Sequence, residues 1–120
     1  MEYYYNEKGK IAVLVSPGYG AGWSTWSYDH GIALATDKRI VEKFLECQKV
    51  DGLLRKIGSY GSEERTELQE WLASIGYPDV YVGGFADIVV KWVSPGTAIR
   101  INEYDGFETL ETNYEGYTTL

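Results

Sequence analysis

A single cysteine, Cys47, is the whole thiol supply of this sequence, so neither an intramolecular disulfide framework nor a Cys-rich zinc site can be built. A reducing, intracellular setting is the expectation that follows. Histidine is as scarce: His30 stands alone, and any nucleophilic chemistry would have to combine it with Ser16, Ser24, Thr25 or Cys47. No stretch approaches the ~20 apolar residues of a membrane span. The segment Met1–Glu7 lacks the basic start and apolar run of a secretory signal. Basic residues are also short, 11 Lys and Arg against 18 Asp and Glu, leaving a net charge of −7 and an isoelectric point near 4.6. The mean field therefore repels polyanions, which excludes a general nucleic-acid binder with a basic surface. A cytoplasmic protein with no membrane association is expected.

What is present is core material. In 120 residues, 44% are hydrophobic and 15% aromatic, enough for one domain spanning 1–120 with 1–8 and 112–120 as candidate mobile ends. Lys10 to Val15 is a nearly unbroken apolar run, which predicts a strand covered on both faces in the middle of a sheet. Thr36 to Val50 predicts a helix with Ile40, Val41, Phe44, Leu45 and Gln48 on one face, capped by Thr36 or Asp37 and stopped at Asp51-Gly52. Leu53 to Ile57 is too short to assign. Ser62 caps a second helix with Leu68, Trp71, Leu72 and Ile75 as its stripe, ended by Gly76 and Pro78. Strands are predicted at Val80–Val82, Ile88–Val93, Ala98–Tyr104 and, across the Asp105-Gly106 hairpin signal, Phe107–Glu111. This order predicts an α+β fold, a mostly antiparallel sheet with two helices packed on one face.

The segment Ser16-Pro17-Gly18-Tyr19-Gly20-Ala21-Gly22-Trp23-Ser24-Thr25-Trp26 sets three glycines among three large aromatics and three hydroxyls. Glycines let a ligand approach the backbone closely, and successive amides form an anion-binding nest beside rings that can stack on a base. The candidate ligand-binding set is therefore Ser16, Gly18, Tyr19, Gly20, Gly22, Trp23, Ser24, Thr25 and Trp26. Arg100 joins it as countercharge if its strand lies beside the first. The competing reading has the glycines forming a tight loop and the tryptophans filling the core beneath. The phosphate-loop fingerprint fails, since Trp23 and Ser24 follow Gly22 where Lys-Ser or Lys-Thr would be needed, and Gly18-x-Gly20 is a weak dinucleotide match because the third glycine is misplaced and the βαβ continuation is missing. No catalytic set, metal site or cofactor is assigned. Eleven tyrosines, Tyr3-Tyr4-Tyr5 among them, suit protein contact.

On S-P-G-Y-G-A-G-W-S-T-W, with Thr36-Asp37-Lys38, Asp79 to Gly84 and Ile99-x-Ile101-x-Glu103-Tyr104-Asp105-Gly106, the chain resembles a family of small bacteriophage and bacterial proteins sharing this near-N-terminal signature. The resemblance implies a phage or prophage setting in the bacterial host's cytoplasm and action by binding. By analogy it suggests sequestration of a nucleotide-derived immune signal, an anti-defence role, by a homo-oligomer that needs no catalytic group. Two other readings follow from the residues. One is an acidic, tyrosine-rich inhibitor of a host protein; the other is a phosphoester or nucleotide hydrolase using His30 and the loop hydroxyls. The nucleotide reading expects Trp23→Ala to stay folded and lose its ligand.

Overall fold

In the computed structural model, which describes all residues except Ala21, Tyr28, Tyr114 and Glu115, the apolar run becomes strand β1, Ile11–Val15, buried at every position. Its alternation feeds two different cores. Ala12 and Leu14 pack toward the helices with Leu34, Phe44, Leu72 and Phe85, while Ile11, Val13 and Val15 pack with Ala35, Val93 and Ile99. The run is apolar on both faces because helices cover one and a second sheet covers the other.

Among the described residues the helices are α1 (Ala33–Thr36), α2 (Lys38–Gln48), α3 (Leu53–Gly58) and α4 (Glu63–Ser74). Asp37 caps α2 by accepting the Arg39 amide, and Ser62 caps α4 by accepting the Arg65 amide. The buried stripe of α2 is Ile40, Val41, Phe44 and Cys47, with Gln48 exposed, so the 3.6-residue period selects the cysteine over the glutamine. The unassigned Leu53 segment is helical. Gly52 enters it at φ 76°, and Arg65 of α4 donates to the carbonyls of Ile57 (2.9 Å) and Gly58 (2.8 Å), closing its C-terminal end.

Strand β2 (Val89–Val93) pairs antiparallel with β1, and a second antiparallel sheet has the order β4-β3-β5, from Phe107–Thr112, Ala98–Tyr104 and Thr118–Thr119. The fold is thus α+β with two sheets; the strand beside β1 is β2 and β3 lies in the other sheet, so the condition for Arg100 to reach the loop is not met. Asp105 (φ 54°) and Gly106 (φ 86°) form the two-residue turn that joins β3 to β4. Val80–Val82 is not a strand. Val80 and Val82 point inward and Tyr81 outward, but the edges of β1 are already occupied by β2 and by Tyr3–Tyr5, whose Tyr4 carbonyl accepts the Ala12 amide. Both chain ends are tied in, the first through a bridge between Tyr3 and Asp37 and the last through β5 and the Leu120 amide on Thr97. The radius of gyration is 13.7 Å, close to the ~13.6 Å of a compact 120-residue domain. No helix among the described residues is long and apolar enough to cross a membrane.

Candidate functional site

The loop that leaves β1 closes around an anion, and the anion is its own. Glu108 of β4 is 1% exposed. Its Oε1 accepts the Ser16 amide at 2.9 Å, and its Oε2 accepts the amides of Trp23 (2.8 Å) and Thr25 (3.1 Å) and the Thr25 hydroxyl (2.5 Å). The Glu108 amide in turn donates to the Ser16 carbonyl at 2.9 Å, fixing the hairpin to the end of β1. The anion-binding nest predicted from the glycines exists, filled by a carboxylate from 92 residues along the chain.

The candidate residues divide between core and surface. Ser16, Ser24 and Trp23 are buried, Trp23 completely; its indole N–H donates to the Leu34 carbonyl (2.8 Å) and its ring meets Phe85 edge-on. Gly20 is the loop glycine that takes a left-handed angle, φ 69°, and its amide donates to the Asp105 carbonyl at 2.6 Å. Gly22 has a different reason. A Cβ there would stand 2.5 Å from the Trp26 ring, so the missing side chain is the seat on which that indole rests. Gly83 does the same for Tyr81, whose own ring folds back over it. Gly18 and Thr25 are half-buried.

Tyr19 (71% exposed), Trp26 (39%) and Tyr81 (39%) remain at the surface. They are linked into a face through the Gly20 carbonyl, next to Tyr19, which the Tyr81 hydroxyl approaches. Tyr19 packs on Phe107 and Trp26 on Tyr81, both at 5.0 Å between ring centres. The Trp26 indole donates to Glu103 at 3.1 Å, and the Tyr81 hydroxyl reaches the Gly20 carbonyl at 3.5 Å. The Gly106 amide at 2.7 Å, with the Trp26 indole second, holds the Glu103 carboxyl below its ordinary range. Arg100 is not part of this face. Residues 99, 101 and 103 turn one side of β3 toward the core and the loop, whereas Arg100 lies on the other, opposite Glu111 and over the Tyr117 ring at 5.9 Å. Arg100 and the glycine loop therefore do not make a single site.

The face has a strong electrostatic bias. No Lys or Arg occurs between Lys10 and Lys38, between Arg65 and Lys91, or after Arg100, and these are the segments that build it. Asp29, Asp79, Glu103 and Asp105 supply its charge. Beneath its edge lies a cleft of about 250 Å³ lined by Trp26, Ser27, Asp29, His30, Pro78 and Asp79. His30 Nε2 is 2.7 Å from the Pro78 carbonyl. A carbonyl only accepts, so that nitrogen carries the hydrogen. The hydroxyls of the hydrolase reading are buried or, for Thr25, donated to Glu108, and His30 is turned to Pro78; they do not converge. Among the described residues no group of three His, Cys, Asp or Glu could hold a metal ion.

A larger hollow, about 550 Å³, lies by Met1, Asp37 and Arg39, and its Asp37, Arg39, Lys38 and Glu2 charges are paired with one another. Asp37, buried, accepts Arg39 Nη2 (2.8 Å) and the Tyr77 hydroxyl (2.7 Å), and Lys38 pairs with Glu2 at 3.7 Å. Burial pushes the Asp37 carboxyl up, but the hydrogen bonds from Arg39 and Tyr77 outweigh it and leave it below its ordinary 3.8. Burial, then the bond to Asp37, pushes Tyr77 from 10.0 up to about 12. Because the folded state holds Asp37 more acidic than the unfolded chain does, its contribution is present above the unfolded pKa and is lost as pH falls through the folded one. For Tyr77 the contribution is present below the unfolded value and is lost as pH rises toward about 12. Thermal melts across pH should show both losses. Asp37→Asn is expected to flatten the acid limb and Tyr77→Phe the alkaline limb; unchanged limbs would mean the pair carries no linkage.

Searches of family models, curated proteins and solved structures find no match to this chain, so the geometry of the site is the ground on which its function is argued.

Proposed function

We propose that this is a non-enzymatic binding protein whose aromatic, acidic face takes a basic segment of another protein. The observation that carries the reading is the pairing of exposed Tyr19, Trp26 and Tyr81 with Asp29, Asp79, Glu103 and Asp105 in segments devoid of Lys and Arg. Tyr and Trp are the residues most enriched where proteins meet, and a ring face attracts a cation. A nucleotide-derived anion fits this surface less well. The amides of Ser16, Trp23, Thr25 and Gly20 are already engaged, Trp23 is enclosed, and the one arginine proposed as countercharge lies on the far side of β3. A role as an acidic inhibitor of a host protein, the reading that the net charge of −7 and the tyrosines motivate, is one form of this proposal.

The test is an array of 12-residue peptides of graded charge, probed with the parent and with Tyr81→Ala, alongside calorimetry against nucleotides and cyclic dinucleotides. Basic peptides should bind the parent in a salt-sensitive way, weaken about tenfold or more with Tyr81→Ala, and the nucleotides should give no heat. Saturable nucleotide heat together with indifference to basic peptides would reverse the assignment.

A further inference from the structure

Resting on that reading, we infer that the cleft between Trp26 and Pro78 is a pocket for the guanidinium of a single arginine side chain presented by the partner. Its size points to a side chain, since about 250 Å³ falls below the roughly 300–1,000 Å³ of clefts that hold whole drug-sized ligands. Its lining brings together the Trp26 indole, Pro78 and the His30 ring. The Trp26 ring is held firmly, resting on Gly22, packed on Tyr81 at 5.0 Å and hydrogen-bonded to Glu103. His30 is fixed by Pro78 and stands edge-on to Tyr77 at 83°. A rigid slot loses little side-chain freedom when it is filled.

Its charge selects the ligand. Asp29 and Asp79 both line the cleft, and neither carboxylate has a hydrogen bond or ion pair among the described residues, in contrast to Glu103, Glu108 and Glu111. Two open carboxylates in a cleft lined by an indole match a planar cation that offers several N–H donors and can lie against a ring. A lysine ammonium is strongly hydrated and has no plane to lay on the ring, so the slot prefers arginine. An anion is repelled by both carboxylates.

The experiment uses the full chain, ¹⁵N-labelled, titrated with N-acetyl-arginine amide, N-acetyl-lysine amide and N-acetyl-citrulline amide while the Trp26 indole N–H resonance is followed. The arginine probe should shift that resonance saturably, lysine should bind about fivefold or more weakly, and citrulline, its neutral isostere, should not bind. Asp29→Asn with Asp79→Asn should weaken the arginine probe at least about tenfold, and Tyr60→Ala, an exposed ring outside both the cleft and the aromatic face, should leave it unchanged. Equal binding of arginine and lysine, or an indifferent double Asn variant, overturns the pocket while leaving the face intact, provided basic peptides still bind and still depend on Tyr81. If no basic peptide binds at all, the face and the pocket fall together.

Discussion

Glu108→Gln is expected to lower the unfolding free energy by about 3–5 kcal/mol in urea denaturation, a large effect for an uncharged near-isostere. Among the described residues the carboxylate has four donors aimed at it, three of them at Oε2: the amides of Trp23 and Thr25 and the Thr25 hydroxyl. Glutamine replaces one accepting oxygen with an NH₂ group that only donates. Whichever way the amide is turned, it either faces the Ser16 amide or confronts the cluster at Oε2, and each buried donor left without an acceptor costs about 1–3 kcal/mol. Thr25→Val is the control. It removes one donor to Glu108 and leaves the other donors with their acceptor, so its cost should stay at about 1–1.5 kcal/mol. The loop and the hairpin should loosen together in Glu108→Gln, because the same residue's amide holds the Ser16 carbonyl. Faster hydrogen exchange at Trp23, Thr25 and Gly106 would report it. A Gln variant as stable as the parent would mean that the loop is held by its glycines and not by this anion.

The local elements were legible because local chemistry determines them. Asp37 and Ser62 cap their helices as their side chains predict, and Asp105-Gly106 turns β3 into β4 as its φ preferences require. The strand assignment failed at Val80–Val82, where the side chains do alternate but no free edge of β1 was left to pair with them. Alternation says which way side chains point and nothing about whether a partner strand is available. The loop was recognised as an amide nest, and its occupant was missed because it comes from a distant strand. A signal for it existed. Leu110 faces inward on β4, and a period of two places Glu108 beside it on the buried face, so a carboxylate was due in the core and needed donors. The same period separates Arg100 from the loop, since it points opposite to Ile99 and Ile101. Gly22 and Gly83, by contrast, could not have been explained from sequence. Their purpose is the ring lying over them, a contact that becomes visible only when the chain is folded.

Trp23 and Trp26, three residues apart in one motif, should behave oppositely, and the comparison decides how any binding defect in this loop is interpreted. Trp23 is fully buried against Phe85 and donates to the Leu34 carbonyl, so Trp23→Ala opens a cavity and orphans an acceptor, at a cost of about 3–5 kcal/mol. Against the roughly 5–15 kcal/mol that a domain of this size possesses, that leaves a marginal or unfolded protein. The expectation that this variant stays folded and merely loses a ligand is therefore withdrawn, and a loss of binding by it would carry no information about a site. Trp26 is 39% exposed and rests on Gly22, so Trp26→Ala should cost only about 1–2 kcal/mol while stripping the face of its central ring. Urea titrations of the two variants, paired with binding of a basic peptide, separate the roles. Trp26→Ala should keep a cooperative transition and bind at least about tenfold more weakly, while Trp23→Ala should have its midpoint shifted far down or lost. Equal stabilities for the two would mean that the indole of Trp23 is not the centre of the core, and the division of this loop between scaffold and surface would have to be redrawn.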